Sequence, residues 1–463
     1  MSDAYKAFVK RKRVEAPRVG FEPADLPPHL FPHQRDCLAF ACRTGRSAIF
    51  ADTGLGKTAM QIEWARQVCG RTGGAVLILA PLAVAQQTVR EAARFGVEVV
   101  YAQKQPEELR GIVITNYERL KGFDPSAFAG VVLDESSILK SFMGQVKRDL
   151  VASCASVPYR LACTATPAPN DHLELGNHAE FLGVMTSHEM IARWFINDTS
   201  SFGVYRLKGH AVEAFWDWVH SWAVCIGMPS DMGHDDAGYV LPELHLERHV
   251  VDADTTQDTG GLLFRVPEMS ATSVHREKRL TVAARAAEVA RLVAAEPTEQ
   301  WVVWCETDYE ADALTSRIAD AVEVRGSDRA DAKERAALDF EEGRIRVLVT
   351  KASIFGFGLN WQHCARVAFV GATFSYETFY QAIRRSWRFG QSRPVDVHVV
   401  MAQTEASVWS VLNAKREGND EMRSQMRAAS RRAAAKAASS RLYVANDPIR
   451  IPSWLVSEEK REV

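Results

Sequence analysis

Three short stretches of this chain carry side chains whose types and spacing suit chemistry on a phosphate. The first, Ala51-Asp52-Thr53-Gly54-Leu55-Gly56-Lys57-Thr58, follows a strand-like run and precedes a helical pattern. Glycines there let backbone N–H groups face an anion, and the helix N-terminus adds positive potential. Lys57 can reach the β- and γ-phosphates and Thr58 can hold Mg2+, so Thr53, Gly54, Leu55, Gly56, Lys57 and Thr58 are candidates for binding ATP. Ala51 stands where the strict pattern has its first glycine. The second stretch, Val131-Val132-Leu133-Asp134-Glu135, is an apolar strand ending in two acids. Asp134 would orient Mg2+ and its waters, and Glu135 would polarise an attacking water. Two carboxylates at a buried strand end are costly without a metal or cation nearby, so the two stretches reinforce each other. The third runs from Gln381 to Gln391 on a helical pattern, with Arg385 and Arg388 one turn apart and aimed at a single target. Guanidinium groups brought to a γ-phosphate from a second lobe stabilise the charge of the transition state. A solvated basic helix or a phosphate-backbone contact is the competing interpretation of that stretch. The catalytic candidates are Lys57, Asp134, Glu135, Gln381, Arg385 and Arg388.

Positioning such groups requires strands that alternate with helices, and the alternation occurs twice. Apolar or β-branched runs fall at 47–50, 75–79, 111–115, 131–133 and 160–164, and again at 301–305, 346–350, 366–371 and 395–401. Each set predicts βαβ units and a parallel sheet, hence an α/β protein with two tandem lobes. Between them the sequence turns aromatic and rich in His, with Trp194, Phe195, Phe215, Trp216, Trp218 and Trp222 close together. The expected division is a basic N-terminal tail over 1–25, a first, ATP-binding lobe over 26–170, and an insertion with interlobe linker over 171–272. A second lobe follows over 273–412, and a basic C-terminal helix and tail over 413–463.

Composition excludes more than it selects. The 463 residues suit two or three domains, and 47% hydrophobic with 25% charged residues is ordinary for a globular protein. A formal net charge of −2 gives no global field for nucleic acid, so such contacts must come from local placement of Lys and Arg. The eight cysteines form no C-x-x-C pair and read as buried thiols in a reducing compartment. The longest apolar stretch, 75–85, is about half of what a membrane span needs. A cytoplasmic protein with no membrane contact, acting as a monomer, is expected.

Taken together, these stretches resemble superfamily 2 helicases, most closely the Swi/Snf-type DNA translocase branch in a compact phage or bacterial form. The resemblance runs from about Leu30 to Met401 and omits most of the aromatic insertion. Phe31-Pro32-His33-Gln34 resembles the upstream glutamine motif, which implies that Gln34 reads the adenine edge. Ala80-Pro81-Leu82 and Ile114-Thr115-Asn116-Tyr117-Glu118 are similar to first-lobe motifs, implying nucleic-acid contacts at Pro81, Thr115 and Tyr117. Thr164-Ala165-Thr166-Pro167 is similar to the motif that couples hydrolysis to movement through Thr164 and Thr166. Thr350-Lys351-Ala352-Ser353 with Gly356-Phe357-Gly358-Leu359-Asn360 resembles the fifth motif, implying DNA contacts at Thr350 and Lys351 and nucleotide contacts at Gly358 and Asn360. Gln381 to Gln391 then resembles the sixth. Two departures stand out: Ser137 occupies a position where many relatives carry His, leaving it to make the coupling contact, and Trp387 replaces another common His. The family implies two RecA-like lobes, ATP with Mg2+, and movement along DNA, duplex favoured over single strands, in replication, recombination or repair. An RNA helicase, or an ATP-switched nucleic-acid clamp that does no processive work, remains open at this stage.

Two weaker features complete the sequence. Arg423, Arg427 and Arg431 recur at helical spacing, with Arg432, Lys436 and Arg441 nearby, and suit either a phosphate backbone or plain solvation. His210, His220, Cys225 and His234 could be imagined as a zinc set, but their spacing matches no template, and packing of the tryptophans and histidines is the simpler expectation.

Overall fold

The computed structural model describes residues 15–140, 144–197, 205–252, 271–355, 360–373 and 375–442. In the first half, strands β1 (Arg46–Ala51), β2 (Val76–Ala80), β3 (Val99–Tyr101), β4 (Ile112–Asn116), β5 (Gly130–Asp134) and β6 (Tyr159–Thr164) alternate with α1 (Pro32–Thr44), α2 (Lys57–Thr72), α3 (Leu82–Arg94) and α4 (Gln145–Ser153). Then come α5 (Leu175–Leu182), α6 (Ser187–Trp194), a short antiparallel pair β7 (Phe195–Asn197) and β8 (Tyr205–Leu207), α7 (Val212–Trp222) and β9 (Ala223–Ile226). The resulting sheet is entirely parallel in the order β3-β4-β2-β5-β6-β1-β9. β2, β4 and β5 are buried at every position, the burial a parallel sheet needs when helices cover both faces, and their unbroken apolar runs follow from it.

The second half contains β10 (Leu244–Val251), α8 (Ala271–Ala295), β11 (Trp301–Cys305), α9 (Asp308–Thr315), β12 (Ala321–Val324), α10 (Ala330–Glu341), β13 (Val347–Lys351), α11 (Ala352–Phe355), β14 (Arg366–Val370), α12 (Tyr376–Ile383), β15 (Val395–Ala402) and the long α13 (Ala406–Leu442). Its sheet is also parallel, ordered β10-β15-β14-β11-β13-β12. Two tandem RecA-like α/β lobes are therefore present. Each sheet carries apolar side chains on both faces, Phe50, Leu133 and Trp222 on one side of the first and Ile49, Trp64 and Val132 on the other.

The boundaries differ from those expected at the ends of the first lobe. β9 falls inside the stretch assigned to an insertion, yet it pairs with β1 from Ala48↔Ala223 to Ala51↔Ile226 and is the edge of the first sheet. The tryptophans before it are core: Trp216, Trp218 and Trp222 are each at most 2% exposed and pack into the first lobe. Stacking of bases on those rings is thereby ruled out. α13 begins after the last strand of the second lobe and returns to the first, where Met422, Met426 and Ala429 join its apolar core. No helix among the described residues is long and apolar enough to cross a membrane.

Candidate ATP site and interlobe cleft

Three neighbouring strands of the first sheet deliver the chemical groups to one edge. β5, β6 and β1 are adjacent, and their C-terminal ends carry Asp134, Thr164 and the loop that leads into α2. Ligands of open α/β sheets collect at such ends. Gly54 and Gly56 take φ of +94° and +79°, left-handed values that cost a residue with a Cβ, and a Cβ on Gly56 would lie 2.2 Å from the Gln34 amide nitrogen. The Lys57 ammonium donates to the carbonyls of Ala51 at 2.8 Å and Asp52 at 3.3 Å. Burial lowers its pKa, while the charges of Glu135, Asp52 and Asp134 act in the opposite sense.

Asp134 is buried and Glu135 half-buried, and desolvation raises both carboxyl pKa values. Gln61, one turn after Thr58 on α2, donates to Asp134 Oδ1 at 2.8 Å. Its own Oε1 is buried without a hydrogen-bond partner beside that carboxylate. An unsatisfied amide oxygen, a buried carboxylate and the Thr58 hydroxyl on the same turn are oxygen donors of the kind that fit a hard cation such as Mg2+. Glu135 sits at φ +56°, the one non-glycine residue with positive φ among those described. Strain of this kind persists only where surroundings enforce it. Here Thr164 donates its hydroxyl to Glu135 Oε1, Ser137 does so at 3.1 Å, and the Thr166 N–H donates to Thr164 Oγ1 at 3.0 Å. Beneath this turn, Ser136 meets the buried His178 at 3.1 Å.

The second lobe reaches the same loop through α12 and the residues after it. Tyr380 donates its hydroxyl to the Asp52 carboxylate, Arg384 donates to the Thr53 carbonyl at 2.7 Å, and Arg384 also lies 3.4 Å from Asp52. Phe389 covers Gly54, where a Cβ would meet its own at 2.9 Å. Arg385 is buried, its pKa lowered to about 9 by burial and by Arg388, with Glu135 opposing. Burial and Arg384 lower Arg388 to about 10 against the pull of Glu91. Gln381 accepts from Arg385 at 3.4 Å, and the Trp361 N–H donates to the Arg385 carbonyl at 2.9 Å, setting half-buried Asn360 next to that arginine.

Residues 284–390 match the family model of the helicase conserved C-terminal domain. The matched segment lies within the second lobe. That agrees with the superfamily 2 resemblance carried by the motifs. Among solved structures, the Sulfolobus solfataricus SWI2/SNF2 ATPase core in complex with dsDNA aligns at 16% identity and a TM-score of 0.40, covering 88% of this chain and 96% of that one. No curated protein matches the chain.

Around the cleft the expected residues divide into groups. Lys57, Thr58, Asp134, Glu135, Thr164, Thr166 and Ser137 gather at one edge of the first lobe, and Gln381, Arg385 and Arg388 lie in the cleft facing it. Gly358 lies outside the described residues. Gln34 is engaged with the loop itself, accepting from the Phe31 N–H at 3.0 Å and donating to the Leu55 carbonyl at 3.1 Å. The expected nucleic-acid contacts are largely turned inward. Thr115 is buried, Tyr117 donates its hydroxyl to the Asp134 carbonyl at 2.7 Å, and Thr350 donates to the Val324 carbonyl at 3.1 Å. Tyr117 thus steadies the Asp134 turn from within the first lobe, while Thr350 ties β13 to β12. Pro81 caps α3 and Lys351, paired with Asp308 at 2.7 Å, is partly exposed.

Sequence reasoning missed four residues. Asp52, Tyr380 and Arg384 stood within or one turn from the motifs, and helical spacing of Tyr380 and Arg384 could have paired them. Arg423 of α13 had no such signal; it reaches back to Asp52 at 2.7 Å. Burial alone would raise Asp52, yet Arg384, Arg423 and the Tyr380 hydroxyl hold it well below the usual carboxylate range. Two further arginines of the stripe are paired, Arg431 with Asp231 at 2.6 Å and Arg432 with Asp217 at 2.9 Å, Arg427 lies over Gly227, and the side chains of Lys436 and Arg441 lie outside those described. The imagined zinc set is not gathered either, since His234 pairs with Asp36, His220 meets Ser430, and His210 is exposed.

Proposed function

We propose that this protein is an ATP-dependent DNA translocase of the Swi/Snf type, hydrolysing ATP in the cleft between its lobes. The observation that carries the proposal is the convergence of both lobes on one phosphate-type loop: Arg384 and Phe389 touch it from one side while Lys57, Asp134 and Glu135 flank it from the other. In this reading Thr53, Gly54, Leu55, Gly56, Lys57 and Thr58 hold the phosphates, and Gln34, fixed against the loop, lies on the adenine side. Mg2+ held by Thr58 and Asp134 would supply charge neutralisation at the phosphates. Glu135, raised in pKa by burial and oriented by Thr164 and Ser137, takes the proton of the attacking water. Arg385 and Arg388 offset negative charge from the second lobe, with Gln381 holding Arg385 in place. Thr164, Thr166 and Ser137 couple the state of the site to movement, Gly358 and Asn360 contact the nucleotide, and Pro81 and Lys351 lie at the nucleic-acid surface. Opening and closing of the cleft would then step two backbone-gripping surfaces along DNA.

The test is the steady-state ATPase rate without nucleic acid and with single-stranded DNA, duplex DNA or single-stranded RNA, with Lys57→Ala as the inactive control. Stimulation by duplex DNA is expected. Stimulation by RNA alone would overturn the DNA assignment in favour of an RNA helicase. Glu135→Gln should lower kcat by about 10²- to 10⁴-fold while nucleotide still binds. If that variant keeps the protein's full function on nucleic acid, the protein is an ATP-switched clamp instead.

A further inference from the structure

Parallel pairing of β10 with β15 sets Glu247 directly opposite His398, and His249 follows Glu247 by two residues on the same face of its strand. The three side chains converge there. His249 Nε2 lies 3.0 Å from His398 Nδ1 and 3.7 Å from Glu247 Oε2, and His398 Nδ1 lies 3.5 Å from that same oxygen. Donors about 2.0–2.1 Å from a tetrahedral zinc ion stand about 3.4 Å from one another, so these three separations outline one face of such a tetrahedron. Among the described residues this is the one place where three donors of this kind come within 4.8 Å of each other.

We propose that Glu247, His249 and His398 form a binding site for a divalent transition-metal ion of the zinc class, with the fourth position open to solvent. The surroundings support a ligand role. The other ring nitrogen of His249 faces Glu288 Oε1 of α8 at 3.5 Å, the carboxylate partner that fixes the orientation of a metal-bound imidazole. His249 and His398 are 20% and 11% exposed, dry enough to hold their rings, while Glu247 at 57% leaves a path for an ion. The Arg366 guanidinium is occupied by Glu296 at 2.6 Å and Asp396 at 2.8 Å, and Arg291 holds the Glu288 carboxylate in place at 2.6 Å. Neutral imidazoles carry the lone pairs a metal needs, and burial with the neighbouring His249 lowers the pKa of His398. Because β10 is an edge strand and the first element of its sheet along the chain, an ion bound here would fasten it to β15 at a point remote in sequence.

Full-length protein stripped with a chelator and titrated with Zn2+ or Co2+ tests the proposal. One equivalent should bind, Co2+ should give the visible d–d bands of tetrahedral nitrogen and oxygen coordination, and the melting temperature should rise with metal concentration. Glu247→Gln, at an exposed position where folding is not at stake, should weaken binding at least about tenfold, as should Glu288→Gln. No saturable uptake, equal uptake by parent and Glu247→Gln, or a thiolate charge-transfer band from cysteine coordination would each overturn the site.

Discussion

At the scale of single residues, buried titratable groups carry much of the site's order. His178, lodged beneath the Glu135 turn, is held near pKa 4 by desolvation, so it is neutral in the folded protein. An unfolded histidine titrates near pH 6.5. A group whose folded pKa is depressed contributes stability that is full above its unfolded value and is lost as pH falls toward the folded one. Stability from His178 should therefore decline between about pH 6.5 and pH 4, by at most about 3 kcal/mol. Glu174, raised to about 7 by burial, works in the opposite sense over the same range. The comparison must be between parent and His178→Gln: denaturation curves of the variant should lose less stability on acidification. Parallel curves would show that His178 does not carry this pH dependence.

At the scale of elements, α13 changes meaning most between sequence and structure. Its arginines suit a phosphate backbone when read along the chain, but Arg423 and Arg431 are committed to carboxylates of the first lobe, and Met422 and Met426 are buried there. Arg431→Ala leaves the fully buried Asp231 without its guanidinium, although backbone N–H groups of Gly227 and Met228 still donate to it. The variant should unfold at lower temperature while the dependence of DNA affinity on salt keeps its slope. A slope reduced by about one unit would instead make Arg431 a phosphate contact. Met426→Ala should cost about 2–5 kcal/mol, the range for emptying a core position, measured in the same melts.

At the scale of the whole molecule, polar pairs among the described residues join the lobes in addition to the contacts at the phosphate-type loop and the apolar packing of α13. Lys140 pairs with Glu377 of α12, Arg90 with Glu334 at 2.7 Å, and Lys415 with the Asn170 carbonyl oxygen of its side-chain amide at 3.0 Å. Contacts of this kind suit an interface that opens and closes, since partly exposed ion pairs are worth little and exchange readily with water. Reversing one charge, as Lys140→Glu or Glu377→Lys, should shift fluorescence-monitored lobe closure toward open. Reversing both should restore it, with a coupling of about 1 kcal/mol. Failure of the double variant to recover would mean that this pair does not govern closure.

Sequence alone determined the strands that carry chemistry and the groups at their ends. Short unbroken apolar runs bounded by turn residues and rich in β-branched side chains suit strands buried on both faces, and the glycine loop, the paired acids and the arginine helix are short-range patterns that need no knowledge of distant residues. The strands β3, β9, β10 and β12 were not legible: all four are edge strands, with β3, β9 and β12 too short to stand out and β10 mixing polar with apolar residues. Tertiary structure alone decided that Asp52 is shared by Arg384, Tyr380 and Arg423, that Tyr117 and Thr350 face inward, and that Glu247, His249 and His398 meet. Each of these depends on parallel register or on a helix returning across the cleft. Pairing between strands and helices far apart in the chain is fixed by packing of the whole core, and no local spacing records it.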